Sequence, residues 1–480
     1  MTDSAILGLA LAGCGAVVGV IHPVSRRWPS TRPAVRNLGH ALTALFTVPA
    51  ILWVEDVRLA IAASLGFTVF LVLAVEFGWI RGLLAGSRWK DYGYPAYTLG
   101  IAAGLALFPE HRAAVAGGFL VLGLADPVAS TFGRRFGRTE IVAWGSRRTL
   151  EGSLACAAVA TGVGLAWFAW QGVLGAAQVA QAVYLGATAA ALEATLPSAL
   201  DNLLVQLWGA FVLFIAPTAL ADPIHVLAAL AVSVAIGWFA WRARWVDAAA
   251  AVFSALLGMV ALGLGGPAWF LPLLAFMVLS SLLTRFRQSD SREKGPRRIV
   301  QVVCNVVPAM LPVFPFALTG DPRWYVLHVG SVAVATADTW ATEIGRHARS
   351  DPFSLRSLRR VARGVSGAVS PLGLAGSVLG GLAIGGVAAL VGPPAWRSRL
   401  LLAGAAVGLA GSLVDSLLGA WLQVRFRCAA CGATVEESNH CGVRGKRLSG
   451  VPGCDNHAVN AAATVAGLVL AWLLVEYLPA

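Results

Sequence analysis

Sixteen apolar stretches, most near 20 residues long, leave this chain very few ways to fold. They run over roughly 4–22, 38–54, 58–78, 94–108, 112–132, 150–172, 179–197, 201–221, 223–241, 246–265, 267–284, 300–318, 324–345, 368–392, 398–424 and 458–477. About 20 apolar residues is the length of a helix that crosses a bilayer. In hydrocarbon a segment must satisfy its own backbone N–H and C=O groups, so these stretches are helices and not open strands. Composition agrees: 58% of the residues are hydrophobic and 12% charged, against about 25% charged in soluble domains. The expected fold class is all-α, a polytopic transmembrane protein with about 16 spans.

The loops give the orientation. Odd-numbered stretches end in loops rich in Lys and Arg, and only Arg58, Arg112, Arg323, Arg397 and Arg399 of the 36 basic residues follow even-numbered ones. Basic loops stay in the cytoplasm. Both termini are then outside, and the chain is expected as a multi-pass protein of a bacterial cytoplasmic membrane. The net charge of +12 becomes a property of the inner surface, where it attracts anionic lipid headgroups. No basic patch is interleaved with aromatics, so no nucleic-acid partner is expected. The first stretch starts at Asp3 and lacks the positive start of a cleaved signal; it reads as a retained helix.

The sequence also repeats. ADPVASTFGR (125–134) returns as ADTWATEIGR (337–346), 212 residues later and without a gap. LDNLL (200–204) is echoed by VDSLL (414–418) at an offset of 214, and EGSLA (151–155) more loosely by AGSVL (375–379). Self-similarity of this kind points to duplicated units. Two related modules running parallel are expected, over 1–222 and 223–480.

Ionisable residues inside a membrane mark function by default. Here they are few and gather at the cytoplasmic ends of the apolar stretches: His40, Glu76, Asp91, Asp126, Glu151, Glu193 and Asp201 in the first half, and Asp338, Glu343, Asp415 and Asp455, with Asn305 and Asn456, in the second. Arg-rich loops lie just above them. Carboxylates with phosphate oxygens complete the shell of Mg²⁺, and Arg forks grip phosphate. The layer therefore suits phosphoryl transfer to a lipid whose head reaches it. The plainer alternative is that Asp126 and Asp338 pair with nearby Arg and anchor helix ends, and that His40 is an ordinary interfacial histidine.

Seven cysteines divide into two groups. Cys14, Cys156 and Cys304 are isolated and read as small apolar residues. The others fall in CAACGATVEESNHCGVRGKRLSGVPGC, residues 428–454. Cys428 and Cys431 form a CxxC, followed by His440, Cys441 and Cys454. Such spacing can hold a structural Zn²⁺, with Cys428, Cys431, Cys441 and Cys454 as the expected ligands. The alternative is a set of reduced thiols, since a cytoplasmic loop does not favour disulfides.

The motifs together resemble known families. GLADPVASTFGRRFG, RRTLEGSLA and ATLPSALDNLLVQL, with RNLGH (36–40) and DYGYPAYTLG (91–100), resemble the polyprenol kinase family, which contains phytol and dolichol kinases; the likeness covers roughly 25–220. Asn37 stands where that family has Lys. CDP-diacylglycerol synthases carry a similar Asp…Gly-Arg…Glu-Gly-Ser pattern. SSLLTRFR (280–287), RRIVQVVCNVVPA (297–309), ATADTWATEIG (335–345), GLAGSLVDSLLGAWLQ (408–423) and DNHAVN (455–460) resemble a membrane family that includes the plant phytyl-phosphate kinase, over roughly 250–478. RGVSGAVSPLGLAGS (363–377) fits that family less sharply.

The resemblance implies a fusion. The first half would phosphorylate an isoprenoid alcohol such as phytol or geranylgeraniol, and the second would convert the monophosphate to the diphosphate. The implied donor is CTP with Mg²⁺; nothing in the composition selects CTP over ATP. Asp126 and Asp201 would hold Mg²⁺ or orient the alcohol, with Arg134, Arg135, Arg147 and Arg148 on the nucleotide. Glu151, Asn202 and His40 would support them. Asp338, Asp415 and Asp455 would be the acidic set of the second site, with Asp338 and Asp415 on Mg²⁺. Asn305, Glu343, Arg346 and Asn456 would support these. The rival readings are a cytidylyltransferase that makes a CDP-lipid and a non-catalytic lipid carrier.

Overall fold

The computed structural model describes residues 1–79, 92–287, 295–361 and 365–477. Asp91, Arg81, Arg88, Lys90, Arg292, Lys294 and Arg363 lie outside the described residues. The chain forms two compact units, Met1–Phe239 with Ala251–Met259, and Ala240–Ala250 with Val260–Ala480.

The protein is an all-α polytopic membrane protein. Among the described residues, ten helices are long and apolar enough to cross a bilayer, and Asn37–Trp53 and Leu200–Ile215 are shorter apolar helical segments. Each of the sixteen apolar stretches falls on helix. The helices are α1 (Asp3–Arg27), α2 (Arg32–Trp53), α3 (Val57–Glu76), α4 (Gly93–Leu107), α5 (Arg112–Phe136), α6 (Leu150–Trp170), α7 (Ala176–Thr195), α8 (Leu200–Ala219), α9 (Pro223–Arg242), α10 (Ala248–Arg287), α11 (Ile299–Met310), α12 (Val313–Thr319), α13 (Arg323–Gly345), α14 (Pro371–Val391), α15 (Arg397–Leu402), α16 (Gly408–Trp421) and α17 (Asn456–Tyr477). A π-helical turn, Ala403–Val407, joins α15 to α16. α10 is two legs, because Gly266 between them takes a φ of +73°, which a residue without Cβ adopts freely.

Each unit contains the same four-helix pattern. In the first, α5 packs on α6 and α8, α6 on α7, and α7 on α8. In the second, α13 packs on α14 and α17, α14 on α16, and α16 on α17. A short hairpin joins the first helix to the second in both: β1 (Glu140–Ala143) with β2 (Ser146–Thr149), and β3 (Phe353–Ser354) with β4 (Ala368–Val369). The helix that precedes the set, α4 or α11, packs on the fourth.

The repeated decapeptide shapes the crossing of the first two helices. Thr149 caps α6, its hydroxyl accepting from Gly152 N at 3.2 Å, and Ser370 caps α14 by accepting from Gly373 N at 3.0 Å. A methyl on Gly133 would stand 2.8 Å from Thr149 Oγ1 and 3.7 Å from Gly152 Cα; one on Gly345 would stand 3.4 Å from Ser370 Oγ and 3.2 Å from Gly373 Cα. Gly152 lies against the carbonyl of Ala129, and Gly373 against that of Ala341. The Ala and Gly positions of the repeat are therefore packing positions, as expected where helices meet without a hydrophobic driving force.

The fold corrects two of the echoes. EGSLA and AGSVL are not counterparts; Thr149-x-x-Gly152 and Ser370-x-x-Gly373 are. Nor do LDNLL and VDSLL occupy equivalent places. Asp201 opens the fourth helix of its set, whereas Asp415 lies within the third. By element order, Asp201-Asn202-x-x-Val205-Gln206 corresponds to Asp455-Asn456-x-x-Val459-Asn460, at an offset of 254. The cause is an insertion. Residues 196–199 join third helix to fourth in the first unit, and residues 422–455 do so in the second. A fixed offset cannot register across it.

Candidate functional site

In the first unit, acids from two helices meet one arginine, and an aspartate from a third helix meets a histidine. Asp126 lies on α5, with Pro127 after it, so the helix lacks one N–H at this level. His40 Nδ1 on α2 is 3.7 Å from Asp126 Oδ2. The buried Asn37, one turn earlier, donates from Nδ2 to Pro127 O (3.1 Å) and Thr131 Oγ1 (3.0 Å), fixing α2 against α5. Arg148 reaches in from β2: its Nη2 donates to Asp201 Oδ2 at 2.8 Å, and its Nε is 3.3 Å from Glu193 Oε1.

The hairpin decides which arginine enters. Successive strand residues face opposite sides. Arg148 pairs with Ile141 and shares the face of buried Ile141 and Ala143. Arg147 pairs with Val142 on the exposed face and contacts Glu140 at 3.5 Å. At the turn, Trp144 takes a φ of +52° and Gly145 of +75°; Trp144 Nε1 donates to Thr195 O at 2.9 Å, tying the hairpin to the end of α7 that carries Glu193.

The other expected residues of this site scatter. Arg134 donates to the Ser130 hydroxyl on its own helix, and Arg135 lies over the Phe136 ring. Glu151 accepts from the Thr139 backbone N–H at 3.2 and 3.3 Å. Asn202 donates to Gly93 O at 3.0 Å, and Gln206 to Tyr97 O at 3.0 Å, so both bind α8 to α4. Asp201 is engaged through both oxygens: Oδ1 accepts from Ala199 N and Asn202 N, and Oδ2 from Arg148. Oδ2 of Asp201 and the carboxylate of Asp126 keep acceptor positions that none of these bonds uses. Glu193 carried no assigned role in the sequence; its signal was an acid three residues from the inner end of an apolar helix.

In the second unit, Asp338 of α13 and Asp415 of α16 are in side-chain hydrogen-bond contact. Asn460 of α17, with its amide turned to satisfy both ends, donates to Asp415 Oδ1 (3.2 Å) and Asn456 O (3.0 Å), while its oxygen lies 3.3 Å from the side-chain amide of Asn305. Two carboxyls this close require a proton or a cation between them. The two carboxylates are oxygen donors of the kind Mg²⁺ takes, and Asn460 holds one of them from the side. Asn460 is the residue that sequence reasoning missed, although it stands where Gln206 stands in the first unit.

Asp455 and Asn456 remain at the rim. Asp455 is exposed, and its Oδ1 accepts from Ala458 N at 2.9 Å as a helix cap. Glu343 is buried on another face of α13. Thr284 Oγ1 donates to it at 3.5 Å, and it acts on the charge of Arg297. Arg346 forms the C-cap of α13.

The cysteine cluster forms with a change of membership. Cys428, Cys431, His440 and Cys441 bring their ligand atoms within 4.8 Å of one another. Cys454 is not in the group; it sits at the base of the loop, where its carbonyl accepts from Val424 N at 2.8 Å. The expected ligand set is thus corrected, His440 replacing Cys454. The Cys428 thiol is lowered to about 6 by the Cys431 backbone N–H and by His440, whereas its hydrogen bond with Cys431 raises the Cys441 thiol.

Residues 231–468 match the family described as Integral membrane protein DUF92. The C-terminal region carries a DUF92 domain. The DUF92 match encloses Asp338, Asp415, Asn460 and the whole cysteine cluster. Over 218 residues the chain is 29% identical to Protein PGR of Arabidopsis thaliana, an alignment covering 39% of this chain and 75% of the relative. Uncharacterized membrane protein MJ0933 of Methanocaldococcus jannaschii is 29% identical over 189 residues, covering 37% and 75%. Uncharacterized membrane protein sll0875 of Synechocystis is 26% identical over 193 residues, covering 38% and 68%. No solved structure matches the protein.

Proposed function

We propose that the protein is a bifunctional isoprenoid kinase, the first unit phosphorylating an isoprenoid alcohol and the DUF92 domain phosphorylating the resulting monophosphate. One observation carries this reading. Helices α1–α4 line a cavity of about 110 Å³, its walls almost wholly apolar side chains such as Leu7, Ile51, Phe67 and Leu105. His40 is in its wall, and Asp126 is 3.7 Å from His40. Between Ile51 and His40, α2 advances about 16 Å at 1.5 Å per residue. A prenyl chain laid in this groove would bring its hydroxyl to Asp126.

The roles follow from the geometry. Asp126 and His40 meet the hydroxyl. Arg148, oriented by Glu193 and Asp201, faces the nucleotide phosphates. Phosphoryl transfer depends chiefly on position and charge, so no strong base is required. In the second unit Asp338 and Asp415 would hold Mg²⁺, which offsets phosphate charge when bound, with Asn460 orienting Asp415 and Asn305 orienting Asn460. CTP is the proposed donor, on the sequence resemblance. The monophosphate would stay in the same leaflet, which raises its effective concentration for the second step.

The test is purified full-length protein in detergent with CTP or ATP, Mg²⁺ and phytol or geranylgeraniol, read by mass spectrometry. Wild type should yield diphosphate. Asp338→Ala should accumulate monophosphate, and Asp126→Ala should yield neither. A CMP-linked lipid with pyrophosphate release would replace this reading with a cytidylyltransferase. No product from any pair would leave a lipid carrier.

A further inference from the structure

The polar insert between α16 and α17 has no hydrophobic core. It contains a three-stranded sheet, in which β5 (Arg425–Arg427) lies between β6 (Thr434–Val435) and β9 (Lys446–Ser449), and a hairpin of β7 (Asn439–His440) with β8 (Val443–Arg444). Within residues 425–455 one side chain is buried, and it is the Cys428 thiol at 2% exposure. Segments this small hold a fixed fold through a crosslink or a metal. The four free thiols of the region are not disulfide-linked.

We propose that Cys428, Cys431, His440 and Cys441 bind one structural Zn²⁺ that organises this insert. Spacing and distances both support it. A tetrahedral site with Zn–S of about 2.3 Å and Zn–N of about 2.0 Å has S···N edges of about 3.5 Å. His440 Nδ1 lies 3.5 Å from Cys431 Sγ and 3.3 Å from Cys441 Sγ, which makes Nδ1 the ligating nitrogen. The backbone forms two matching turns. Cys428 O accepts from Gly432 N at 3.0 Å, and Gly432 follows the first ligand pair at φ +73°. Cys441 and Gly442 close the second pair at +53° and +72°. Three thiolates and one imidazole suit Zn²⁺ better than Mg²⁺, which prefers oxygen. The four ligands fill a tetrahedron, so the ion serves the fold and holds no open position for a substrate.

The consequence is local and specific. The insert is anchored at both ends by the Val424 N to Cys454 O bond and by Val451 N to Leu422 O. It therefore connects the end of the Asp415 helix to the start of the Asn460 helix. Metal loss should loosen the approach of those two helices and spare the first unit.

The experiment is metal analysis of the full-length protein purified without chelator, with thiols counted by alkylation and Co²⁺ exchanged for the native ion. About one zinc per chain, the three thiols of Cys428, Cys431 and Cys441 protected until the metal is removed, and a thiolate-to-Co²⁺ charge-transfer band are expected. Cys431→Ser and His440→Ala should each lower zinc content several-fold, while Cys454→Ser should keep it. If a tetrad variant does not fold, the wild-type Co²⁺ spectrum and thiol protection still decide. Absence of zinc with no cobalt band, a disulfide among the four, or equal zinc loss in Cys454→Ser would overturn the proposal. None of these readings depends on kinase activity.

Discussion

At the residue scale, two adjacent arginines behave as different groups. Arg148 stands between Glu193 and Asp201, both nearly inaccessible, whereas the Arg147 side chain is 75% exposed beside Glu140. Removing one member of a buried ion network leaves the others uncompensated and costs about 3–5 kcal/mol. Exposed pairs contribute little. Arg148→Ala should therefore lower the midpoint of thermal unfolding in detergent sharply, and Arg147→Ala should leave it almost unchanged. A triple variant, Arg148→Met with Glu193→Gln and Asp201→Asn, should recover much of the loss. The sequence singled out all three residues. It could not say which arginine turned inward, because that depends on the register of a four-residue hairpin.

At the element scale, the repeated decapeptide combines two functions. Its aspartate belongs to the sites, and its Ala and Gly let the first and second helices of each set approach. Val at Gly345 would drive a side chain toward Gly373 Cα, 3.2 Å from the methyl position. Overpacking of this kind costs about 1–3 kcal/mol. Gly345→Val should destabilise the second unit and Gly133→Val the first, each seen as faster hydrogen exchange confined to its own unit. Gly133→Ala should be the milder change, because Thr149 Oγ1 is a side-chain atom that can rotate away. The repeat was visible in the sequence at this crossing, where no insertion intervenes. It was misread further on, where the 422–455 insert displaced the true counterpart of Asp201 from Asp415 to Asp455.

For the whole molecule, the distribution of Lys and Arg predicts an orientation that reporter fusions can read. Alkaline phosphatase fused after Glu110 should be active, and fused after Gly145 inactive, because the enzyme folds only outside the cytoplasm. The reverse pattern would place the acidic clusters at the outer surface and deprive them of cytoplasmic nucleotide. Both candidate sites rest on the same logic, in which carboxylates stay near the membrane edge and cationic loops lie beyond them.

The sequence alone determined that the chain is a bundle of apolar helices, because a bilayer admits few other folds and its thickness sets the length of each span. It also carried the repeated decapeptide, which falls on the first helix of both four-helix sets. Tertiary structure decided which of its polar residues meet. Glu193 joined Arg148, Asn460 joined Asp415, and His440 replaced Cys454 among the thiols. In each case the choice depended on helix rotation, strand register or a turn. Those are set by packing between segments distant in sequence, and no local pattern of residues encodes them.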